Sequence, residues 1–170
     1  MKGDFSRDTF RPRRHYTGVL HQQGRVQLDA DFNEQQAIQQ YRDQTEARDV
    51  IGRCGAPREN AGFALTTDGL SLQIGAGRYY VDGILCENED PISYHSQAHL
   101  LDRQSGAAPA PDLLVRQMLQ AGARFAIAYL DVWERHVTPL EDPELREPAL
   151  GEADTTPRRQ TVWQVRILPL

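Results

Sequence analysis

The sequence predicts an α+β protein: one long N-terminal helix after a basic arm, followed by a mainly antiparallel β domain with a short helix. Three observations carry that expectation. Residues 28–53 read as a helix with acids in its first turn and Gly52 and Gly55 at its end, which are helix stop signals. Two Asp-Gly pairs, at 68–69 and 82–83, sit between short apolar runs, the strongest short-range hairpin signal. Residues 124–134 and 161–168 are rich in β-branched and aromatic side chains, as strands are.

The elements follow in order. Residues 1–28 form a basic docking arm, in which Pro12 holds Arg11 in an extended conformation. Within the arm, residues 16–22 read as a short strand that Gly24 breaks. Residues 29–55 are a polar helix, with Asp29 or Asp31 as N-cap and acids in its first turn. Asn33 or Glu34 can reach back to Arg11 or Arg25 of the arm. Residues 56–170 make a β-rich domain that forms a single structural unit with the helix. Strands over 63–67, 70–74, 78–81 and 84–87 predict one small antiparallel meander. A loop of small residues and prolines over 105–111 leads to a short helix over 112–120. Two long strands then flank an acidic connector, residues 141–154, which prolines at 139, 143, 148 and 157 make too broken for regular structure.

The helix surface is unusual. Ala30, Glu34, Ala37, Ile38, Tyr41, Thr45, Arg48 and Ile51 give only a thin apolar stripe, and Gln35, Gln36, Gln39, Gln40 and Gln44 make the rest amide-rich. A helix on a globular core shows a broader apolar face. Two readings fit: a helix lying across its own domain, or helices meeting on a shared axis where polar contacts fix register. On the second reading, Ala30, Ala37, Ile38, Tyr41 and Thr45 face the oligomer.

Composition narrows the function classes. Of the 170 residues, 39% are hydrophobic, enough for one modest core, and no run approaches the ~20 apolar residues of a bilayer-spanning helix. The start lacks the apolar stretch of a secretory signal. These features lead to the expectation of a soluble protein made in the cytoplasm, without membrane insertion. The net charge of −5 is lopsided: residues 1–28 carry +4, from Lys2, Arg7, Arg11, Arg13, Arg14 and Arg25 against Asp4 and Asp8, and the remainder carries −9. Such an arm suits an acidic protein surface, including that of a neighbouring copy. Its interleaved aromatics also resemble a grip on single strands, yet no nucleic-acid motif accompanies them, and no nucleic-acid partner is expected.

Catalytic and metal constellations are weak. Gly75-Ala76-Gly77 lacks the third glycine and following helix of a phosphate loop. His95 and His99 lie four apart near Asp102 without a third confident ligand. Asp131, Glu134 and His136 form an acid–base cluster that strand alternation splits, with Asp131 pointing away from the other two. The run from Asp29 lacks the glycine and terminal glutamate of a calcium loop. Cys54 and Cys86 read as buried or idle thiols. No catalytic, metal or cofactor-binding residue is assigned, and no cofactor is expected.

The opening Met1-Lys2-Gly3-Asp4-Phe5-Ser6-Arg7-Asp8-Thr9-Phe10, the stretch Gln22-Gln23-Gly24-Arg25-Val26-Gln27-Leu28-Asp29-Ala30-Asp31-Phe32-Asn33-Glu34-Gln35, and the later Tyr129-Leu130-Asp131-Val132-Trp133-Glu134-Arg135 and Thr161-Val162-Trp163-Gln164-Val165 resemble an uncharacterised bacterial family. Genes of that family tend to accompany phage-tail-like contractile injection systems. Phe32 departs from the tryptophan expected there and keeps an aromatic anchor. Members are often longer, so a C-terminal module is expected to be missing here. A more distant similarity links the glycine-arginine stretch and the Tyr-Tyr-Val-Asp-Gly hairpin to N-terminal domains of phage baseplate and tail-fibre proteins.

The resemblance implies a structural adaptor, not an enzyme, that is built into a tail-like particle and released with it. Its partners would be baseplate, spike or tube components and further copies of itself, a trimer being favoured. Arg7, Arg11, Arg13, Arg14, Tyr16 and Arg25 are the docking candidates, and Asp29, Asp31, Phe32, Asn33 and Glu34 the cap and arm contacts. Two alternatives come from other classes. A glycan- or cell-surface-binding module would present Tyr79, Tyr80, Tyr94, Trp133 or Trp163 as an exposed platform. A cargo or effector enzyme would join His95, His99 and Asp102 in a cleft.

Overall fold

The computed structural model describes residues 3–67, 71–100 and 126–169. The α+β expectation holds: one helix near the N-terminus precedes a set of small sheets. Helix α1 spans Asp29–Ile51. It ends where Gly52 takes a φ of 94°, its N–H still donating to the Arg48 carbonyl. The predicted helix over 112–120, the loop before it and the Asp68-Gly69 turn lie outside the described residues.

Among the described residues eight strands follow: β1 (Cys54–Gly55), β2 (Leu65–Thr67), β3 (Leu72–Ile74), β4 (Gly77–Val81), β5 (Ile84–Asn88), β6 (Ile92–Ser93), β7 (Ala126–Val137) and β8 (Arg158–Pro169). They form sheets of order β1-β4-β5, β2-β3-β6 and β7-β8. In the second, Leu65 faces Ile74 and Gln73 faces Ser93, both antiparallel. In the third, Arg135 bonds Gln160 at 2.8 Å while Asp131 meets Gln164 at 3.0 Å. Late residues of β7 thus face early residues of β8, which makes the ribbon antiparallel.

The single meander expected over 63–87 is divided between two sheets. Gly75-Ala76-Gly77 is the cause. Gly77 adopts a φ of 123°, open only to glycine, and the chain turns out of the β2-β3-β6 sheet there. The turn lies against residues 60–64 through backbone hydrogen bonds from Gly62 N to Arg78 O and from Phe63 N to Gly75 O, both 3.0 Å. A Cβ on Gly77 would lie 2.6 Å from the Asn60 carbonyl oxygen and 2.8 Å from Gly62 Cα. The run dismissed as a phosphate loop is therefore a corner where two backbones touch.

The chain forms two compact units. The first gathers Met1–Cys54, Asp82–Ile84 and His136–Arg158; the second gathers Gly55–Val81, Leu85–Arg135 and Arg159–Leu170. The second unit holds a core of Ile74, Tyr94, Leu100 and Val165, with Phe63, Leu72, Ile92, Leu130, Trp163 and Ile167 packed against it. Each fully buried aliphatic side chain contributes about 1.5–3 kcal/mol. Trp163 meets Phe63 edge-on at 4.8 Å and donates its indole N–H to the Glu87 carbonyl at 2.7 Å.

In the first unit the connector is more regular than its sequence suggests. Pro143–Leu145 and Pro148–Leu150 are 3-10 turns, each opened by proline. Asp142 accepts from Glu144 N and Glu147 from Ala149 N. Proline is suited to a first helical position because it lacks the N–H that would go unpaired there, and the preceding acid caps the next free amide.

Candidate docking surface

The basic arm lies along its own helix. Ser6 donates from its N and Oγ to the Asp29 carboxylate at 2.9 and 2.6 Å. Thr9 Oγ1 donates to Glu34, and Val19 N donates to Gln35 Oε1 at 2.7 Å. Phe10 tilts against Tyr41 at 5.8 Å. Phe5, further up the arm, packs 6.1 Å from His136 at the end of β7.

This arrangement corrects three expectations. The N-cap position belongs to Leu28, which has no side-chain cap bond, because the Asp29 carboxylate is engaged by Ser6. Glu34 reaches Thr9, while Arg11 sits 4.0 Å from Asp8. Residues 16–22 join no sheet and stay exposed apart from Val19, since the hydrogen bond of Val19 goes to a glutamine side chain instead of a strand. Asp31 is half-buried, and Asn33 and Phe32 are exposed.

The oligomer-facing set is split. Ala30 and Ile38 are 1% and 2% exposed within this chain, so their apolar surface is already used. Ala37 and Thr45 are half-buried, the Thr45 hydroxyl donating to the Tyr41 carbonyl one turn back. Tyr41 keeps 47% of its surface open beside Phe10.

The docking candidates remain outside. Arg7, Arg11, Arg13, Arg14, Tyr16 and Arg25 are all exposed. Among the described residues, Arg7, Arg13, Arg14 and Arg25 have no carboxylate within ion-pair distance. Sequence reasoning missed Leu20 and Val26, which are 92% and 83% exposed, close in sequence to Leu28 and Phe32. The signal was available: both are aliphatic residues in a glycine-broken, arginine-rich stretch with no alternating run to bury them.

The other candidates scatter. Asp131 faces Gln164 and Arg166, and Glu134 faces Arg159 at 3.9 Å, so these carboxylates stitch the β7-β8 ribbon. His95 lies edge-on to Tyr94, His99 edge-on to Trp133, and Asp102 falls outside the described residues. Burial, with the charge of Arg135, lowers the pKa of His99. Burial also pushes the Cys86 thiol up to about 11, an unreactive state, while Cys54 is exposed. No group of three metal-ligating side chains occurs among the described residues, and no helix among them is long and apolar enough to cross a membrane. Tyr79, Tyr80, Trp133 and Trp163 are half-buried and Tyr94 is buried, so the five are not the fully exposed platform expected of a glycan-binding module.

A family of unknown function, DUF6519, matches residues 1–169. The chain belongs to DUF6519. No curated protein and no solved structure matches it. In this DUF6519 chain the clasp of arm on helix has a pH signature. The two Ser6 hydrogen bonds hold the Asp29 carboxyl below its ordinary value. A carboxyl lowered on folding stabilises above its unfolded pKa, and that contribution is lost as pH falls through the folded value. Amides of residues 6–10 are therefore expected to lose protection several-fold between pH 6 and pH 3 by hydrogen exchange, after correction for intrinsic rates. The Asp29→Asn protein, which keeps an acceptor for Ser6 but cannot titrate, should show a flatter profile; an identical drop in that variant would remove Asp29 as the cause.

Proposed function

We propose that this chain is a structural adaptor of a phage-tail-like contractile injection particle, anchored through its N-terminal arm and helix. One observation carries the reading. The arm is pinned to α1 by Ser6, Thr9 and Val19, yet turns its arginines, Tyr16 and Leu20 outward. A cationic, partly apolar strip held on a rigid helix is organised to meet another protein, because the ordering entropy of the strip is already spent. The charge pattern supports an acidic acceptor, and the family resemblance of the sequence supports the tail particle as its setting.

The test is capture of the tagged full chain on assembled tail particles. The triple variant Arg11→Glu, Arg13→Glu, Arg14→Glu is expected to lower capture at least about tenfold, with the thermal midpoint nearly unchanged because these side chains are exposed. Equal capture would reject the docking role of the arm. Failure of the wild-type chain to bind any sheath, tube or baseplate component would remove the adaptor reading itself.

A further inference from the structure

We infer that the partner of the arm is the acidic connector of a second copy of this chain. This rests on the adaptor reading and names one of its contacts. Residues 141–154 carry six carboxylates against Arg146 alone, a net −5, and residues 1–28 carry +4. The two segments belong to the same compact unit. Even so, among the described residues Arg7, Arg13, Arg14 and Arg25 have no carboxylate within ion-pair distance, and Arg11 has the exposed Asp8 at 4.0 Å.

Apolar surface matches the charge. Leu140, just before the acidic run, and Leu150, within it, are 87% and 66% exposed. Leu20 and Val26, within the basic stretch, are 92% and 83% exposed. Opposite charges around exposed aliphatic residues form the two halves of a protein interface, where the charges set register and the apolar contacts supply the free energy. The connector is also preordered: its two proline-led turns are capped by Asp142 and Glu147, and Glu147 pairs with Ala153. Glu144, Glu152 and Asp154 remain exposed.

An arm and a connector on one chain cannot both be satisfied by a single face-to-face patch unless each copy gives its arm and receives another. The contact is thus arm to connector, repeated once per copy, and closes into a dimer or a ring according to the rotation between copies. A trimer is compatible with this geometry.

The experiment uses the full chain in sedimentation velocity over a concentration series, with three variants. One reverses the arm (Arg11→Glu, Arg13→Glu, Arg14→Glu), one reverses the connector (Glu144→Arg, Glu152→Arg, Asp154→Arg), and one combines both. Wild type is expected to associate, with its dissociation constant rising at least about tenfold between 0.05 and 0.5 M salt. Each single reversal should give monomer, and the combined protein should associate again, because every arm then meets a complementary connector.

A wild-type chain that stays monomeric at all concentrations overturns the inference. Association that neither reversal weakens, or that the combined variant fails to regain, also overturns it by assigning contact to another surface. If a reversed variant does not fold, the salt dependence of the wild type alone decides, since association indifferent to salt rules out the charged contact. Particle capture is read separately, so a monomeric chain that still binds particles leaves the adaptor reading standing while ending this one.

Discussion

Gly83→Ala is expected to cost about 3 kcal/mol or more of folding stability. The Asp82-Gly83 turn has φ values of 50° and 83°, the pattern of a type I′ hairpin turn in which both central residues are left-handed. Alanine there is strained by the backbone alone. Its Cβ would also overlap the carbonyl oxygen of Gln44 in the middle of α1, and a helix backbone cannot yield without breaking its own hydrogen bonds. The turn is fixed on the helix by Asp82 N donating to Arg53 O at 2.7 Å and by Arg48 Nε meeting the Asp82 carboxylate at 3.1 Å. Urea denaturation followed by circular dichroism at 222 nm measures the effect. Asp82→Asn is the control: asparagine tolerates the left-handed conformation and loses only an exposed ion pair, so its cost should stay under about 1 kcal/mol. A Gly83→Ala protein as stable as the control would show that the turn does not press on the helix.

Gln97→Leu is expected to be nearly as damaging, at about 3–5 kcal/mol. Gln97 is 5% exposed. Its Oε1 accepts from Val165 N, while its Nε2 donates to Val165 O at 3.1 Å and to Tyr94 O at 2.8 Å. One side-chain amide thus answers both backbone groups of a core residue of β8, as a neighbouring strand would. Leucine keeps the volume and leaves three buried polar groups unpaired, which is the expensive case. Gln97→Glu separates polarity from volume. Its carboxylate can still accept from Val165 N but lies against two carbonyl oxygens, so burial and repulsion raise its folded-state pKa. Stability of the Gln97→Glu protein should therefore be greatest in acid and fall as pH rises from the ordinary glutamate value to the raised folded-state one. The Val165 amide, followed by hydrogen exchange, should open first in both variants. If Gln97→Leu moved the transition by less than about 1 kcal/mol, the amide would be dispensable to the core.

What the sequence made legible was whatever depends on neighbours in the chain. Helix α1 was readable because glycine-free spacing and a glycine stop act locally, and the 82–83 hairpin because a type I′ turn demands those two residues. The strands of β7 and β8 were readable from composition, though each runs further than expected. Misreadings arose where a distant partner won. Asp29 has the chemistry of a cap, but Ser6, 23 residues earlier, takes its carboxylate. Residues 16–22 have strand propensity and no strand beside them. Pro143 and Pro148, which the sequence reads as breakers together with Pro139 and Pro157, start turns because an acid precedes each. Gln97 and the Gly62–Gly77 contact were invisible, since neither amide pairing nor backbone proximity across the fold leaves a periodic trace. The arm arginines were legible as a cluster, and the aliphatic residues among them only once their exposure was known.

The first compact unit draws on residues 1–54, 82–84 and 136–158, and this has a consequence for how the protein is made. The arm and α1 leave the ribosome well before the hairpin tip that docks on α1 and the histidine that receives Phe5 are translated. The arm, made before the segments that cover it, is therefore among the last parts of the unit to be fully enclosed. A fragment ending anywhere before residue 158 lacks part of both units, so a deletion series from the C-terminus should yield no folded intermediate length, and nascent chains would reach protease resistance late in synthesis instead of domain by domain.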